Sequence, residues 1–283
     1  MDDMGIDVVL LGYGAIGQAV HRMLGAHDGE VRVLGVLDRA SLADPDPATP
    51  AARTTGPAEP GSAPRLPVLD LATAIERADL VIECASPAAV RAHGPAITGA
   101  GTDLLVASLG ALVDGPLRTA LEAGPGRCHY STGAIGGLDL IRASAGTINA
   151  IELRTRKLPE ALLHPGLPGT LRSAIARAAE SGTAARVFSG SVAEAIRDFP
   201  SNINVAAALG LAAGDLDLVA VDIVADPAAA MTSHDITVRG SGGNYRFAIE
   251  NFPDPANPAT SALTARSMAS GVLRLAGRGP HFI

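Results

Sequence analysis

Three glycines stand at positions 12, 14 and 17, in the run Gly12-Tyr13-Gly14-Ala15-Ile16-Gly17. That spacing has a chemical meaning when it joins a strand to a helix. Gly12 allows the tight turn, Gly14 lets a pyrophosphate approach the backbone, and Gly17 lets the helix pack close to the strand. The helix start then offers N–H groups and a positive dipole end to the phosphates. The flanks meet the requirement: Ile6–Leu11 is an apolar run, and Ala15–Leu24 carries a helical period. Tyr13, Ala15 and Ile16 complete the turn and count with the glycines as cofactor contacts. A second apolar run, Val31–Leu37, closes at Asp38. A carboxylate there accepts hydrogen bonds from the adenosine ribose and favours NAD, whereas Arg39 beside it would meet a 2′-phosphate. NAD and NADP both remain open.

Other chemistry-bearing residues follow later apolar runs. Ser86, before Pro87, and the stretch 108–111 sit where strands end, the edge at which open α/β sheets bind ligands. Ser86 is equally a helix N-cap, which Ser favours. A second glycine-rich loop, Thr132-Gly133-Ala134-Ile135-Gly136-Gly137, leaves N–H groups uncovered. It suits a carboxylate, a carboxamide or close cofactor approach, or else it is an interdomain connection. Of seven histidines, His234 opens a probable strand between Ser233 and Asp235. Histidine titrates near neutrality, as proton transfer at a reacting centre requires.

The elements that must position these groups fall into two patterns. Up to about residue 131, short apolar runs alternate with helical stretches: strands at 80–84, 104–108 and 128–131, helices at 71–77, 87–100 and 116–123. Such βα repeats imply a mostly parallel, doubly wound sheet covered on both faces. Beyond about 138 the strands at 148–156, 185–189, 218–225, 233–239 and 245–251 crowd together, with helices at 192–199 and 204–213. That pattern implies an antiparallel or mixed sheet in a second α+β domain. Residues 253–258 read as a Pro/Asn break before a last helix at 260–275. The resulting division is 1–133 for a dinucleotide-binding domain, 134–255 for a smaller domain, and 256–283 for a C-terminal helix returning to the first. Residues 41–67, rich in Pro and Ala, read as an insertion.

Composition excludes several functions. The formal charge is −7, with 22 basic and 29 acidic residues, against nucleic acid as the main partner. Two cysteines, Cys84 and Cys128, make no disulfide framework and lack metal-ligand spacing. No apolar stretch reaches membrane-spanning length, and the acidic start lacks a signal peptide's basic region. A cytoplasmic protein without a metal fits.

Taken together, these segments resemble the L-aspartate dehydrogenases. The resemblance rests on Gly12 to Gly17, on Gly133-Ala134-Ile135-Gly136-Gly137-Leu138-Asp139, and on Thr155-Arg156-Lys157. It continues through Phe199-Pro200-Ser201-Asn202-Ile203-Asn204-Val205-Ala206-Ala207, His234-Asp235-Ile236 and Asn257-Pro258-Ala259-Thr260-Ser261. It implies a Rossmann-type domain joined to one like that of dihydrodipicolinate reductase, and a homodimer. The implied activity is oxidation of L-aspartate at Cα with NAD or NADP, giving iminoaspartate, which hydrolyses to oxaloacetate and ammonia or feeds NAD biosynthesis. His234 matches the family's catalytic histidine, and Ala134 and Asn204 match its nicotinamide-side contacts. The substrate carboxylates need cationic or N–H partners, which Lys157, Asn202 and the 133–137 loop would supply. Two other readings stay open: a related dehydrogenase or imine reductase for another amino acid, and a dinucleotide sensor without turnover.

Overall fold

The computed structural model describes residues 5–27, 29–37, 66–200, 204–254 and 257–278, with side chains at 257–259 excepted. It divides into two compact units, one of residues up to Ser131 together with the chain from Ala265 onward, the other Thr132–Thr264. The candidate residues Asp38, Arg39 and Asn202 lie outside the described residues, as does nearly all of the 41–67 segment.

Among the described residues the first unit contains β1 (Ile6–Leu11), β2 (Val31–Leu37), β3 (Leu80–Glu83), β4 (Asp103–Val106) and β5 (Cys128–Tyr130) in the order β2-β1-β3-β4-β5. Every pairing is parallel. In this order the strand sequence reverses between β1 and β3, the switch point where doubly wound sheets bind ligands. The helices are α1 (Ala15–Leu24), α2 (Leu71–Arg77), α3 (Pro87–Gly99) and α4 (Gly115–Glu122).

Strand alternation dictates how the sheet is covered. Leu105 faces one side, in a cluster with Val8, Leu10, Val20 and Leu24. The last helix, Ala262–Leu275, contributes Met268 and Val272 to that cluster. Leu104 faces the other side, where Gly94 of α3 lies so close to Leu121 of α4 that a Cβ would stand 2.7 Å from its Cδ2. The strands are apolar on both faces because both are buried.

The second unit begins with α5 (Leu138–Ala143) and builds a mixed sheet, order β10-β9-β6-β8-β7. These strands are β6 (Ile148–Lys157), β7 (Ala185–Ser191), β8 (Val219–Ala225), β9 (Thr232–Gly240) and β10 (Gly243–Asn251). β6 and β8 run parallel, and the other neighbours are antiparallel. One face buries Ile151, Leu153, Val221, Ile223, Ile236 and Val238. The intervening residues, among them Glu152, Arg154, Asp235 and Arg239, form a charged face. Helices α6 (Gly169–Ser181), α7 (Val192–Asp198) and α8 (Asn204–Ala213) complete the unit. α7 opens on a capping box between Ser191 and Glu194. α8 is buried nearly throughout, so it carries no polar face.

Two readings need correction. Residues 253–258 are not a break: β11 (Pro253–Asp254) and β12 (Asn257–Ser261) pair antiparallel as a small hairpin before α9, the last helix. Strand β4 ends at Val106 rather than 108, because Ser108 starts a 3₁₀ turn, Leu109–Val113. α6 went unread, since its buried stripe is narrow, with Ile175 and Ala178 its buried residues.

Candidate active site

The first unit builds its site from backbone at the carboxyl edge of the sheet. Gly12 has φ +97°, and a Cβ on it would lie 2.7 Å from the Ala85 Cβ. A Cβ on Gly17 would lie 2.4 Å from the Gly12 carbonyl oxygen. Gly14, by contrast, faces open space, with nothing within 4 Å of its would-be Cβ. It is the N-cap of α1, and no side chain caps the first turn. Two glycines are therefore demanded by packing, and the third leaves the start of the helix open. That combination fits a dinucleotide pyrophosphate at a helix N-terminus. Ser131, at the end of β5, buries a hydroxyl with no partner among the described residues. A buried polar atom of this kind calls for a partner, which a ligand at this edge would supply.

Tyr13 places its hydroxyl 2.7 Å from His21 Nδ1, and Gln18 Nε2 donates to the Tyr13 carbonyl at 3.1 Å. Ala15, Ile16 and Gly17 form the first turn of α1. Ser86 uses its hydroxyl as the N-cap of α3, accepting from Ala89 N–H at 3.2 Å. Ala85 and Ser86 thus stand across the switch point from the glycine turn.

One group here was missed from the sequence. Glu83, at the end of β3, is 0% exposed. Its carboxylate accepts from Ala85 N–H at 2.8 Å, Ala107 N–H at 3.1 Å, Ser108 N–H at 2.9 Å and the Ser108 hydroxyl at 2.9 Å. Burial pushes its carboxyl above the usual range, and the hydrogen bonds pull the other way. It ties the turns after β3 and β4 together from below. The signal was visible: a lone acid in the apolar run Leu80-Val81-Ile82-Glu83-Cys84.

The second unit builds its site from side chains. Thr155 and Lys157 alternate on the closed face of β6, and Thr155 pairs with His234 on β9. Thr155 Oγ1 lies 3.0 Å from His234 Nδ1, which leaves Nε2 as the ring's other polar atom. His234 is 3% exposed and Lys157 6%. Burial, and then the Lys157 charge, pull the His234 imidazole down to about 3. Burial pulls the Lys157 amine down to about 8. The ring is therefore neutral at any physiological pH.

The second glycine-rich loop belongs to this unit. Its Ala134 is buried, and the Ala134 carbonyl accepts from Asn251 Nδ2 at 2.8 Å. Gly137 has φ +81°, and a Cβ there would lie 2.5 Å from the Phe247 ring. The loop is thus anchored on β10 at both ends. Asn251, the polar anchor, also went unremarked in the sequence. Asn204 is the first residue of α8. The other described histidines serve local structure or lie nearer the surface. His129 meets Asp103 at 2.9 Å, His164 meets the Asp198 carbonyl at 2.8 Å, and His27 faces Glu30 at 3.3 Å.

Comparison with known proteins decides the family. Residues 139–275 match the family described as "Aspartate dehydrogenase, C-terminal", and residues 12–125 match "Homoserine dehydrogenase, NAD binding domain". L-aspartate dehydrogenase of Methanococcoides burtonii is 33% identical over 286 residues, covering 96% of this chain and 97% of that one. The enzyme of Ruegeria pomeroyi is 37% identical over 202 residues, covering 70% and 72%. The chain belongs to the L-aspartate dehydrogenase family. The solved aspartate dehydrogenase of Thermotoga maritima agrees, with a TM-score of 0.66, 26% identity and 99% of both chains covered. A hyperthermophilic archaeal homoserine dehydrogenase in complex with NADPH shares the fold at a TM-score of 0.57 and 8% identity, covering 99% and 100%.

Proposed function

We propose that this protein is an NAD(P)-dependent L-aspartate dehydrogenase. The full-length likeness to the Methanococcoides burtonii enzyme carries the reading, and the buried Thr155–His234–Lys157 cluster supports it. Among the described residues it speaks against a sensor without turnover: a protein that only bound a dinucleotide has no use for a buried imidazole and amine side by side.

The first unit is the dinucleotide-binding one. Gly12, Tyr13, Gly14, Ala15, Ile16 and Gly17 hold the pyrophosphate, Ser86 borders it, and Asp38 and Arg39 meet the adenosine ribose. Bound NAD(P) supplies the two-electron acceptor for the hydride on the substrate Cα. In the second unit Ala134 and Asn204 hold the nicotinamide side. Lys157 and Asn202 contact the substrate, and N–H groups of the 133–137 loop meet a carboxylate. His234 is the catalytic imidazole. Thr155 fixes its ring, and its Nε2 meets the carbon–nitrogen bond that changes order. L-aspartate and water leave as oxaloacetate and ammonia, with iminoaspartate between them, the compound that also feeds NAD biosynthesis.

The same reading makes the protein a cytoplasmic homodimer. Cys84 and Cys128 are both free thiols, as in a reducing compartment. The charged face of the second sheet pairs Arg154 with Asp222 and Arg239 with Glu152. No helix among the described residues is long and apolar enough to cross a membrane.

His234→Ala separates binding from chemistry. Cofactor affinity, read by nicotinamide fluorescence, should stay within about threefold. The release of oxaloacetate and ammonia, in equal amounts from the unaltered enzyme, should fall by about 100-fold or more. Unchanged release would remove His234 from the reaction.

A further inference from the structure

Lysine occurs once in this chain. Lys and Arg total 22, and Lys157 is the single lysine, so every other basic residue is arginine. The contrast is sharpest on β6 itself. Arg154 and Arg156 flank the position, with side chains 58% and 45% exposed on the open face. Lys157 points to the closed face and is 6% exposed. Arginine stays protonated in proteins, whereas lysine gives up its proton when buried. The one place where this sequence departs from arginine is a place where a cation is enclosed beside a histidine.

We propose that Lys157 is the base that takes the proton from the α-ammonium group of the substrate, and that His234 stands beside it as a neutral hydrogen-bonding partner. The proposal rests on the aspartate dehydrogenase reading and gives Lys157 the substrate's amino group in place of a carboxylate.

The geometry supports the division of roles. Thr155 and Lys157 are two residues apart on one strand face, about 7 Å, and His234 is paired with the first of them. The two groups sense each other, since the Lys157 charge lowers His234 further. An imidazole held near 3 is a poor acceptor for an ammonium proton. An amine held near 8 is matched to the task. α8 carries no ionisable residue. Asp222 of β8 and Asp235 and Arg239 of β9 belong to the charged face. Asp226, just past β8, donates its main-chain N–H to the Lys157 carbonyl at 2.8 Å. Its carboxylate is turned to Arg156 at 3.4 Å and to Ala228 N–H at 2.9 Å.

The step balances. One N–H bond of the ammonium breaks, its electron pair stays on nitrogen, and the proton joins Lys157 Nζ. That lone pair becomes the second bond of the C=N group as the Cα–H pair leaves for the cofactor. Nζ later returns its proton to water, so each turnover releases one proton.

The test uses the full-length protein. In the wild type, kcat/KM for L-aspartate should rise as pH passes through about 8 and level off above it, because only the neutral amine accepts a proton. Lys157→Arg keeps a charge but cannot deprotonate, so kcat should fall between about 100- and 10,000-fold. His234→Gln should lose rate yet keep the limb near pH 8. A second readout needs no turnover. Lys157 carries the only side-chain amine, so its acetylation by acetic anhydride, followed by mass spectrometry, reports its titration directly. A midpoint near 8 is expected in the unliganded protein. A midpoint near the ordinary 10.5, or Lys157→Arg with a wild-type kcat and pH limb, would overturn the proposal. A wild type that oxidises no L-aspartate would remove the substrate reading and the base with it; active Lys157→Arg enzyme would remove the base alone.

Discussion

The two units offer a polar ligand opposite kinds of groups. In the first, the candidate edge is main chain: a glycine turn, an uncapped helix start and two strand-end turns pinned by one carboxylate. In the second it is side chain: an imidazole and an amine enclosed on the apolar face of a sheet. At the main-chain edge the Glu83 carboxylate meets four donors. The side-chain cluster is not at ease, since burial drives both Lys157 and His234 toward their neutral forms. Burial disfavours the charged form in both units, and in the first a set of hydrogen bonds pulls against it; the difference teaches how an enclosed charge is answered.

That comparison breaks first at Glu83. Glu83→Leu takes the buried acceptor from the Ser108 N–H and hydroxyl and one acceptor each from Ala85 and Ala107, and should cost about 3–5 kcal/mol, more than any single change at the second site. Urea unfolding measures it, and a loss below 1 kcal/mol would mean the turns after β3 and β4 hold without it. Lys157→Met should act in the opposite sense. The folded state holds Lys157 near 8, against 10.5 unfolded, so below pH 8 the fold carries the cost of an enclosed charge. Removing the amine should stabilise the protein at pH 7 by roughly 1–3 kcal/mol, one pKa unit being about 1.4 kcal/mol. The gain should shrink as pH rises through 8 to 10.5. Destabilisation at pH 7 would contradict the contrast between the units.

Gly14→Ala sharpens the first unit alone. The backbone at Gly14 has φ −78° and open space above it, so the methyl is sterically tolerated. Alanine is a poorer cap than glycine, a cost of about 1 kcal/mol at most. Cofactor affinity should fall by about tenfold or more, because the methyl occupies the approach to the backbone. Unchanged affinity would place the pyrophosphate elsewhere. A separate effect is on acid stability. His234 sits near 3 when folded and near 6.5 when unfolded, so its contribution is present above pH 6.5 and is lost as pH falls from 6.5 toward 3. His234→Gln should flatten the melting temperature against pH in that window. An unflattened curve would show that the ring is not enclosed.

The same contrast explains what the sequence revealed. The glycine turn, β1, α1 and β2 were legible to the residue, because local spacing determines them. The parallel sheet followed from the alternation of apolar runs with helical ones. Glu83 was harder: its acid is visible in an apolar run, but its four donors come from 85, 107 and 108, on two separate turns. Asn251 is paired with Ala134, which is 117 residues away. His234 and Lys157 are 77 positions apart and meet only through the register of β6 and β9, which no local pattern specifies. Family likeness named His234, the need of the substrate carboxylates for a cation pointed to Lys157, and Lys157 is the single lysine of the sequence. The hairpin at 253–261 hid because Pro253 and Pro258 read as punctuation, yet prolines are tolerated in a two-stranded ribbon's edges.

The most direct test follows nicotinamide absorbance with NAD and with NADP while the protein is offered L-aspartate, L-glutamate, L-alanine and L-homoserine in turn. Turnover of L-aspartate with at least one cofactor is expected, at a kcat/KM well above that for the other three. Preferred turnover of another amino acid, or cofactor binding with no turnover of L-aspartate in either direction, would contradict it.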